Sequence, residues 1–494
     1  LAAPVPLAED PALRAKVETV RGELAHAQAL LDSGRYQQAL PAAKAVADAA
    51  RALDYRPLEA EALHVLGWAH QRLSQSEESM KAWNAAMTAA TAGRHDEAAV
   101  QVATDLVVAL SDTRDWFSEA HLWAGQAHAL LERMGGSPEL EGRLANHEGI
   151  LAFREENYEV AAAHYTRALA LRERVLGPTH VDTAKVLNNF GMVRMRQGRF
   201  ADAMPLYQRS LAITEERLGP QHPLLAATLA NLGIVAKEMG RYPEALQWLE
   251  RSYALRRDTL GPDNRQTLLM LNDLALVHEK SGAPETALAL HQQALEGMRR
   301  VFGPESVETI DALRSLAMAE ERLEMTAAAL AHYQEGLALQ LRVLPPEDLA
   351  LHTLEEDVGR LLLLHSKRPR EALPLLRVAL ARKVRTLGKE HPSTVHARTG
   401  LGLALLAMNK ADRALTELEE AARVLAPLGW SEAESAWVYF GLARALWTVK
   451  PAERPRALAL AQKAIEGYTQ AGQYGRRELE EARRWMASRE GARR

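Results

Sequence analysis

The sequence predicts an all-α fold: a right-handed superhelical solenoid of about eleven antiparallel helix hairpins. Three observations lead there. A closing tripeptide falls at Leu176-Gly177-Pro178, Leu218-Gly219-Pro220, Leu260-Gly261-Pro262 and Phe302-Gly303-Pro304, degrades to Leu344-Pro345-Pro346 and returns as Leu387-Gly388-Lys389, in steps of 42, 42, 42, 42 and 43 residues. Between two of these marks, Leu225, Leu229, Leu232, Ala236 and Met239 keep the 4, 3, 4, 3 spacing of one apolar helix face. After a break at Gly240, a second helix carries Ala245, Leu249 and Ser252 on one line. The third mark is a small residue once per first helix, at Gly149, Gly191, Gly233, Ala275, Ala317, Gly359 and Gly402. A two-helix unit of this kind has two apolar faces and needs a copy on each side to cover them.

The segments follow in order. Residues 1–13 hold three prolines and read as a linker, with a helix starting near Leu13. Residues 14–140 hold three looser hairpins, with turns at Gly34-Arg35-Tyr36 and near Asp115-Trp116-Phe117 and a break at Gly135-Gly136-Ser137-Pro138. Residues 141–430 form the regular array. Its second helices are marked by Ala161, Ala203, Ala245, Ala287 and Ala329, and, after one inserted residue in Ser366-Lys367-Arg368-Pro369, by Ala372 and Ala414. Only glycine or alanine leaves room where two helices cross closely, and Tyr165, Tyr207 and Leu249 supply bulk beside those points. Residues 431–494 form an atypical final hairpin and a polar capping helix rich in Arg and Glu, as the open end of a solenoid requires.

Composition narrows the function classes. A chain of 494 residues exceeds one ordinary globular core, which a core growing in one dimension avoids. The net charge of −4 provides no global attraction to nucleic acid or acidic membranes. The absence of cysteine excludes disulfides, thiolate metal sites and a cysteine nucleophile. No apolar run approaches the roughly 20 residues of a membrane-spanning helix, so no direct membrane insertion is expected. The chain begins at Leu1 and reads as part of something longer.

The pattern Asn231-Leu232-Gly233, Gly240-Arg241-Tyr242, Ala245, Leu249 resembles the tetratricopeptide repeat. The usual repeat has about 34 residues; the longer one here, with its connector Gly219-Pro220-Gln221-His222-Pro223, is similar to the repeats of kinesin light chains and many bacterial regulatory proteins. The opening segment, with Ala3-Pro4-Val5-Pro6, Glu9-Asp10-Pro11 and Leu30-Leu31-Asp32-Ser33-Gly34-Arg35-Tyr36, resembles the start of the C-terminal repeat region of bacterial receptor-type serine/threonine protein kinases. That resemblance implies a regulatory or sensor region, placed in the cytoplasm or in the extracytoplasmic part of a membrane-anchored kinase. The alternative is a stand-alone adaptor or assembly scaffold with no attached enzyme.

No glycine-rich phosphate loop, His-Arg-Asp loop, Asp-Phe-Gly, His-Glu-x-x-His or nucleophile elbow is present, so no enzymatic activity and no cofactor is expected of this chain. His180, His222 and His391 recur in the connector at least one repeat apart, too far for shared metal coordination, and read as packing or hydrogen-bonding groups at the start of the next helix. Asn146, Asn188 and Asn272 lie three residues before the small residue of their repeats, and Asn189 and Asn231 two before. The family resemblance puts this part of the first helix on a concave groove, where carboxamides can hold an extended peptide or bond the neighbouring helix. Downstream, Asp273, Ser315 and Asp357 replace asparagine. Arg154, Arg196, Lys280 and Arg322, with Glu238, lie five residues after the small residue and would suit an acidic peptide or a carboxy terminus. From Arg360 to Lys389 there are nine Lys or Arg and one acid, Glu371, without aromatic interleaving for base stacking. The expected partner is therefore a protein or peptide and not nucleic acid; ligand identity and oligomeric state are left open.

Overall fold

A computed structural model describes residues 10–73, 75–111, 114–343, 351–428 and 430–490, and every regular element among them is helical. The chain divides into two compact units, Leu1–Leu255 and Arg256–Arg494. The first contains Pro11–Asp32 with Tyr36–Ala52 (α1, α2), Arg56–Arg72 with Ser76–Ala92 (α3, α4), Asp96–Leu110 with Phe117–Met134 (α5, α6) and Pro138–Arg154 with Tyr158–Leu176 (α7, α8). Val181–Arg196 with Phe200–Leu218 (α9, α10) and Leu225–Glu238 with Tyr242–Leu260 (α11, α12) follow, the last turn of α12 falling in the second unit. The second unit contains Arg265–Lys280 with Pro284–Phe302 (α13, α14), Val307–Arg322 with Thr326–Val343 (α15, α16) and Leu351–Leu364 with Pro369–Leu387 (α17, α18). Pro392–Ala407 with Ala411–Leu428 (α19, α20), Glu432–Val449 with Arg454–Gln470 (α21, α22) and the single helix Arg476–Glu490 (α23) complete it. The described residues thus form an all-α solenoid of paired helices.

The small residues mark the close crossings. A Cβ added at Gly149 would stand 2.9 Å from the Tyr165 ring, one at Gly191 2.8 Å from the Tyr207 ring, and one at Gly67 2.3 Å from Trp83 Nε1. Each bulky partner lies sixteen residues after its glycine, and the alanine between them (Ala161, Ala203) is fully buried. The second unit ends on aromatics: Trp485 of α23 packs edge-on against Phe440 and Trp447, at ring-centre distances of 6.0 and 5.7 Å. Three apolar rings thus give the polar end helix its anchorage.

Two kinds of turn alternate. Within a hairpin, one residue adopts the left-handed region: Gly198 (φ 70°), Gly240 (φ 73°) and Gly282 (φ 86°), but also Glu156 (φ 63°), Glu324 (φ 58°), Lys367 (φ 54°) and Asn409 (φ 58°). Between hairpins the connector glycines differ from the left-handed cap: Gly177, Gly219, Gly303 and Gly388 combine φ of 93°, 86°, 83° and 87° with ψ of 161°, 161°, 167° and 167°. That region is essentially closed to residues with a Cβ. A polar side chain then bonds the backbone at or just before the start of the next helix. Nδ1 of His180, His222 and His391 accepts from the backbone N–H of Asp182, Leu224 and Ser393 at 3.1, 3.2 and 3.1 Å, and Asn264 Oδ1 does the same for Gln266 at 2.9 Å. His180 and His391 are therefore the N-caps of α9 and α19, whereas His222 bonds Leu224 just ahead of α11. Pro392 takes the first position of α19, whereas Pro223 precedes α11, which begins at Leu225.

At the amino-terminal end α1 begins at Pro11, ahead of the helix start expected near Leu13. Pro11 is the first residue of α1, because Asp10 Oδ1 accepts the Ala12 N–H at 2.9 Å and proline suits a position whose own N–H has no helical partner. Residues 1–9, Leu344-Pro345-Pro346 and Gly429 lie outside the described residues.

Candidate binding cleft in the first unit

The α5 sequence from Ala98 to Leu110 is apolar apart from Gln101, Thr104 and Asp105, and Asp105 is fully buried. A carboxylate in such a place must be paired. Its oxygens lie 2.7 Å from His64 Nε2 and accept from Trp68 Nε1 at 2.7 Å, both on α3. From α7, Arg143 Nη2 donates to both oxygens at 2.7 Å. Burial alone would raise the Asp105 pKa; the Arg143 charge and the His64 hydrogen bond outweigh it and hold the carboxyl far below the usual range. His147, also on α7, keeps 3.7 Å from Asp105 and bonds the Thr104 carbonyl through Nδ1 at 2.9 Å, and its burial lowers its pKa, favouring the neutral ring.

Arg143 and Trp68 line a cleft of about 690 Å³ that crosses the first helices α1, α3, α5, α7 and α9 and is bounded by Arg172 of α8 and the start of α11. Leu31, Leu140 and Val186 supply apolar wall. Four cations line it: Arg72, Arg143, Arg172 and Lys185, against the acids Asp32, Glu139 and Asp182. Lys185 is paired with Asp182 at 2.9 Å, and Arg72 lies over the Trp68 ring at 5.1 Å. Arg172 is 9% exposed and makes no hydrogen bond or ion pair among the described residues.

Of the residues expected on a groove, Asn146 lines this cleft. The asparagines are engaged with one another. Asn189 Nδ2 donates to Asn146 Oδ1 at 3.3 Å, and Asn231 Nδ2 donates to Asn188 Oδ1 at 3.2 Å. Each rung joins the position two before the small residue to the position three before it in the preceding repeat, 43 residues away. The same two positions carry an ion pair in the second unit, Arg314 Nε to Asp357 Oδ2 at 2.7 Å. Asn272 instead meets His291 Nδ1 at 3.1 Å inside its own hairpin. Arg154 and Arg196 are exposed at the ends of α7 and α9, outside the cleft, with Arg196 5.9 Å above the Phe153 ring. Lys280 and Arg322 occupy equivalent exposed positions in the second unit, where Arg322 pairs with Glu279.

Four of the nine cations in the basic stretch Arg360–Lys389 are paired inside the chain. Arg360 pairs with Glu321, Lys383 with Glu356 and Arg368 with Glu371, while Arg382 lies 3.7 Å from Glu355. Glu321, Glu355 and Glu356 come from outside the sequence window and make bridges between helices, whereas Glu371 lies within it and pairs at the start of α18.

Asp105, Arg143 and Arg172 escaped the sequence reading. Two of them left a signal: Asp105 interrupts an apolar helix, and Arg172 follows Ala161, Tyr165 and Ala168 on the buried stripe of α8. Nothing local marks Arg143 as the partner of a carboxylate 38 residues earlier.

Paired helices stacked in register define a helical-repeat protein, and in the first unit the first helices share one cleft. The tetratricopeptide repeat family matches residues 141–194, 182–258, 259–342 and 351–426, and a second tetratricopeptide repeat pattern matches 24–94; the chain belongs to this family. Tetratricopeptide repeats typically mediate protein–protein interaction. Comparison with curated proteins returns no match. Among solved structures the chain is similar to the quorum sensor NprR from B. thuringiensis in its apo form, at 11% identity over 76% of this chain and 99% of that one, with a TM-score of 0.53. It is also similar to BtubC (BKLC) from P. vanneervenii, at 18% identity over 47% and 92% of the two chains and a TM-score of 0.41. The nearly identical TPR-like repeats of a Podosopora anserina kinesin-light-chain candidate match at 22% identity over 42% and 99%, with a TM-score of 0.37. These likenesses are of fold. No helix among the described residues is long and apolar enough to cross a membrane.

Proposed function

We propose that this chain recognises a peptide or protein partner along the first helices of its repeats, with the cleft of the first unit as the principal seat. The observation that supports this is the cleft itself: about 690 Å³, a mainly polar and charged lining with Leu31, Leu140 and Val186 as its apolar part, and Arg143 and Trp68 held in place by the buried Asp105. A peptide array probed with the chain is expected to yield binders that photo-crosslink to a benzophenone label at position 101 of α5, where Gln101 lines the cleft. Crosslinks confined to labels on the second helices would overturn the assignment.

Asn188, Asn189, Asn231, Arg154 and Arg196 are proposed as flanking contacts in the first unit, and Asn272, Lys280 and Arg322 as contacts of the second unit's own first helices. Changing Asn188, Asn231 and Arg196 to Ala and repeating the array tests them, with thermal melting alongside because two of the three also hold a rung. Binding that survives all three changes removes these residues from the site.

The finer proposal is that the array serves as the regulatory region of a bacterial serine/threonine kinase. Its support is the resemblance of the opening forty residues. Removing residues 1–494 from the parent protein is expected to alter its phosphorylation output, and unchanged phosphorylation would sink the idea.

A further inference from the structure

We infer that Arg172, beside Arg143, is a seat for one carboxylate of the bound peptide, an Asp or Glu side chain or the free carboxy terminus. This rests on the cleft being a peptide site. Arg172 stands where the helical spacing calls for an apolar residue, after Ala161, Tyr165 and Ala168. Its stem runs across Gly142 of α7: a Cβ added there would lie 3.7 Å from both Cγ and Cδ. A glycine opposite a buried arginine gives the side chain a path to the cleft, which Arg172 lines.

Burial disfavours the charge on Arg172, and the neighbouring Arg143 charge disfavours it further. Asp182 and Glu139 attract it only from beyond ion-pair distance. A buried guanidinium left in this condition is costly unless something completes it. Arg143 bonds Asp105 through Nη2 alone, so its other donors remain for the same ligand. Pairing selects the ligand. Lys185 is matched by Asp182, Arg143 by Asp105, and Arg72 lies over the Trp68 ring, whereas Arg172 has no hydrogen-bonded or ion-paired partner among the described residues, and the acids Asp32 and Glu139 also line the cleft. One carboxylate completes Arg172, and a phosphate dianion would meet repulsion from those acids.

The test uses the full chain and an array of random decapeptides, printed as free acids, as carboxy-terminal amides and with phosphoserine, followed by calorimetric titration of the best binder. Amidation, or Asp→Asn or Glu→Gln at one residue, is expected to weaken binding at least about tenfold. Arg172→Met is expected to weaken the acid form by a similar factor, to abolish the difference between acid and neutral peptides, and to raise the melting temperature. Arg172→Lys keeps the charge and is expected to keep part of the discrimination; it also serves if Arg172→Met folds poorly. Equal binding of acid and neutral peptides, discrimination that persists in Arg172→Met, or preference for the phosphorylated peptides overturns the carboxylate seat while leaving the cleft as a peptide site. If no peptide of any set binds, the peptide-site proposal fails along with the seat.

Discussion

Gly67 shows how much of this fold turns on single residues. Trp83 is fully buried over it, with Nε1 donating to the His64 carbonyl at 3.2 Å, so the indole cannot slide aside without losing that bond. Gly67→Ala gains about 1 kcal/mol of helix propensity but must displace the ring, at about 1–3 kcal/mol plus about 1 for the hydrogen bond. A net loss of about 1–3 kcal/mol is expected in denaturant unfolding, with no loss for the same change at Gly22, which has open space. His291 ties stability to pH. Burial lowers its pKa to about 4 from an ordinary 6.5. Glu279 stands 3.8 Å from its Nε2 but is itself held by Arg322, so burial decides. The unfolded chain therefore binds the proton first as pH falls. Stability is complete above about pH 6.5 and is lost towards pH 4, by up to about 3 kcal/mol. His291→Leu is expected to flatten that slope in melts at pH 7, 6 and 5; an unchanged slope would place the titration elsewhere. The small-residue marks and their bulky partners were legible in the sequence because they recur at fixed spacing. The Asp105 cluster was not, since its partners lie 41 residues before and 38 after it and follow no repeat.

At the scale of the element, the turns divide into tolerant and intolerant kinds. The left-handed position inside the hairpin accepts Glu156, Glu324, Lys367 and Asn409 at some cost, since a Cβ there is worth roughly 1–2 kcal/mol of strain. Glu324→Gly is expected to stabilise by about 1 kcal/mol once the greater freedom of unfolded glycine is subtracted, visible as a higher melting temperature. The connector position accepts no such exchange: Gly219→Ala, at φ 86° and ψ 161°, is expected to cost about 1–3 kcal/mol although a Cβ there would meet nothing. The Leu-Gly-Pro mark was legible as an end to each hairpin. The conformation it encodes was not, because the spacing of apolar residues reports helix faces and says nothing about ψ between them. The histidine caps were foreseen only as groups near the helix start: their ring nitrogens do work normally given to Ser, Asp or Asn.

For the whole molecule, nearest-neighbour packing confines damage. In a solenoid each pair contacts chiefly the next, so a lesion in α3 and α4 should loosen those helices and their neighbours first. Hydrogen exchange on Gly67→Ala is expected to rise in α3 and α4 and to stay at the wild-type rate in α19 and α20; uniform acceleration would mean that the chain unfolds as one body. The repeat architecture was readable end to end because one period covers most of the chain, whereas the cleft is assembled from the early, irregular repeats, where period carries least information.

The asparagine rungs have a consequence for how such a chain can change length. Asn146 accepts from Asn189, and Asn188 accepts from Asn231, so acceptor and donor occupy fixed places in successive repeats. Excising residues 177–218 removes 42 residues and rejoins Leu176 to Gly219. Asn231 would then fall at the sequence distance from Asn146 that Asn189 holds now. This cut of one whole period restores a rung, and a cut out of phase with the period breaks it. Unequal crossing-over between repeats is thus a reading-frame problem of a second kind, set by side-chain reach rather than by codons. Within it, repeats can be gained or lost while the scaffold survives and only the ligand changes.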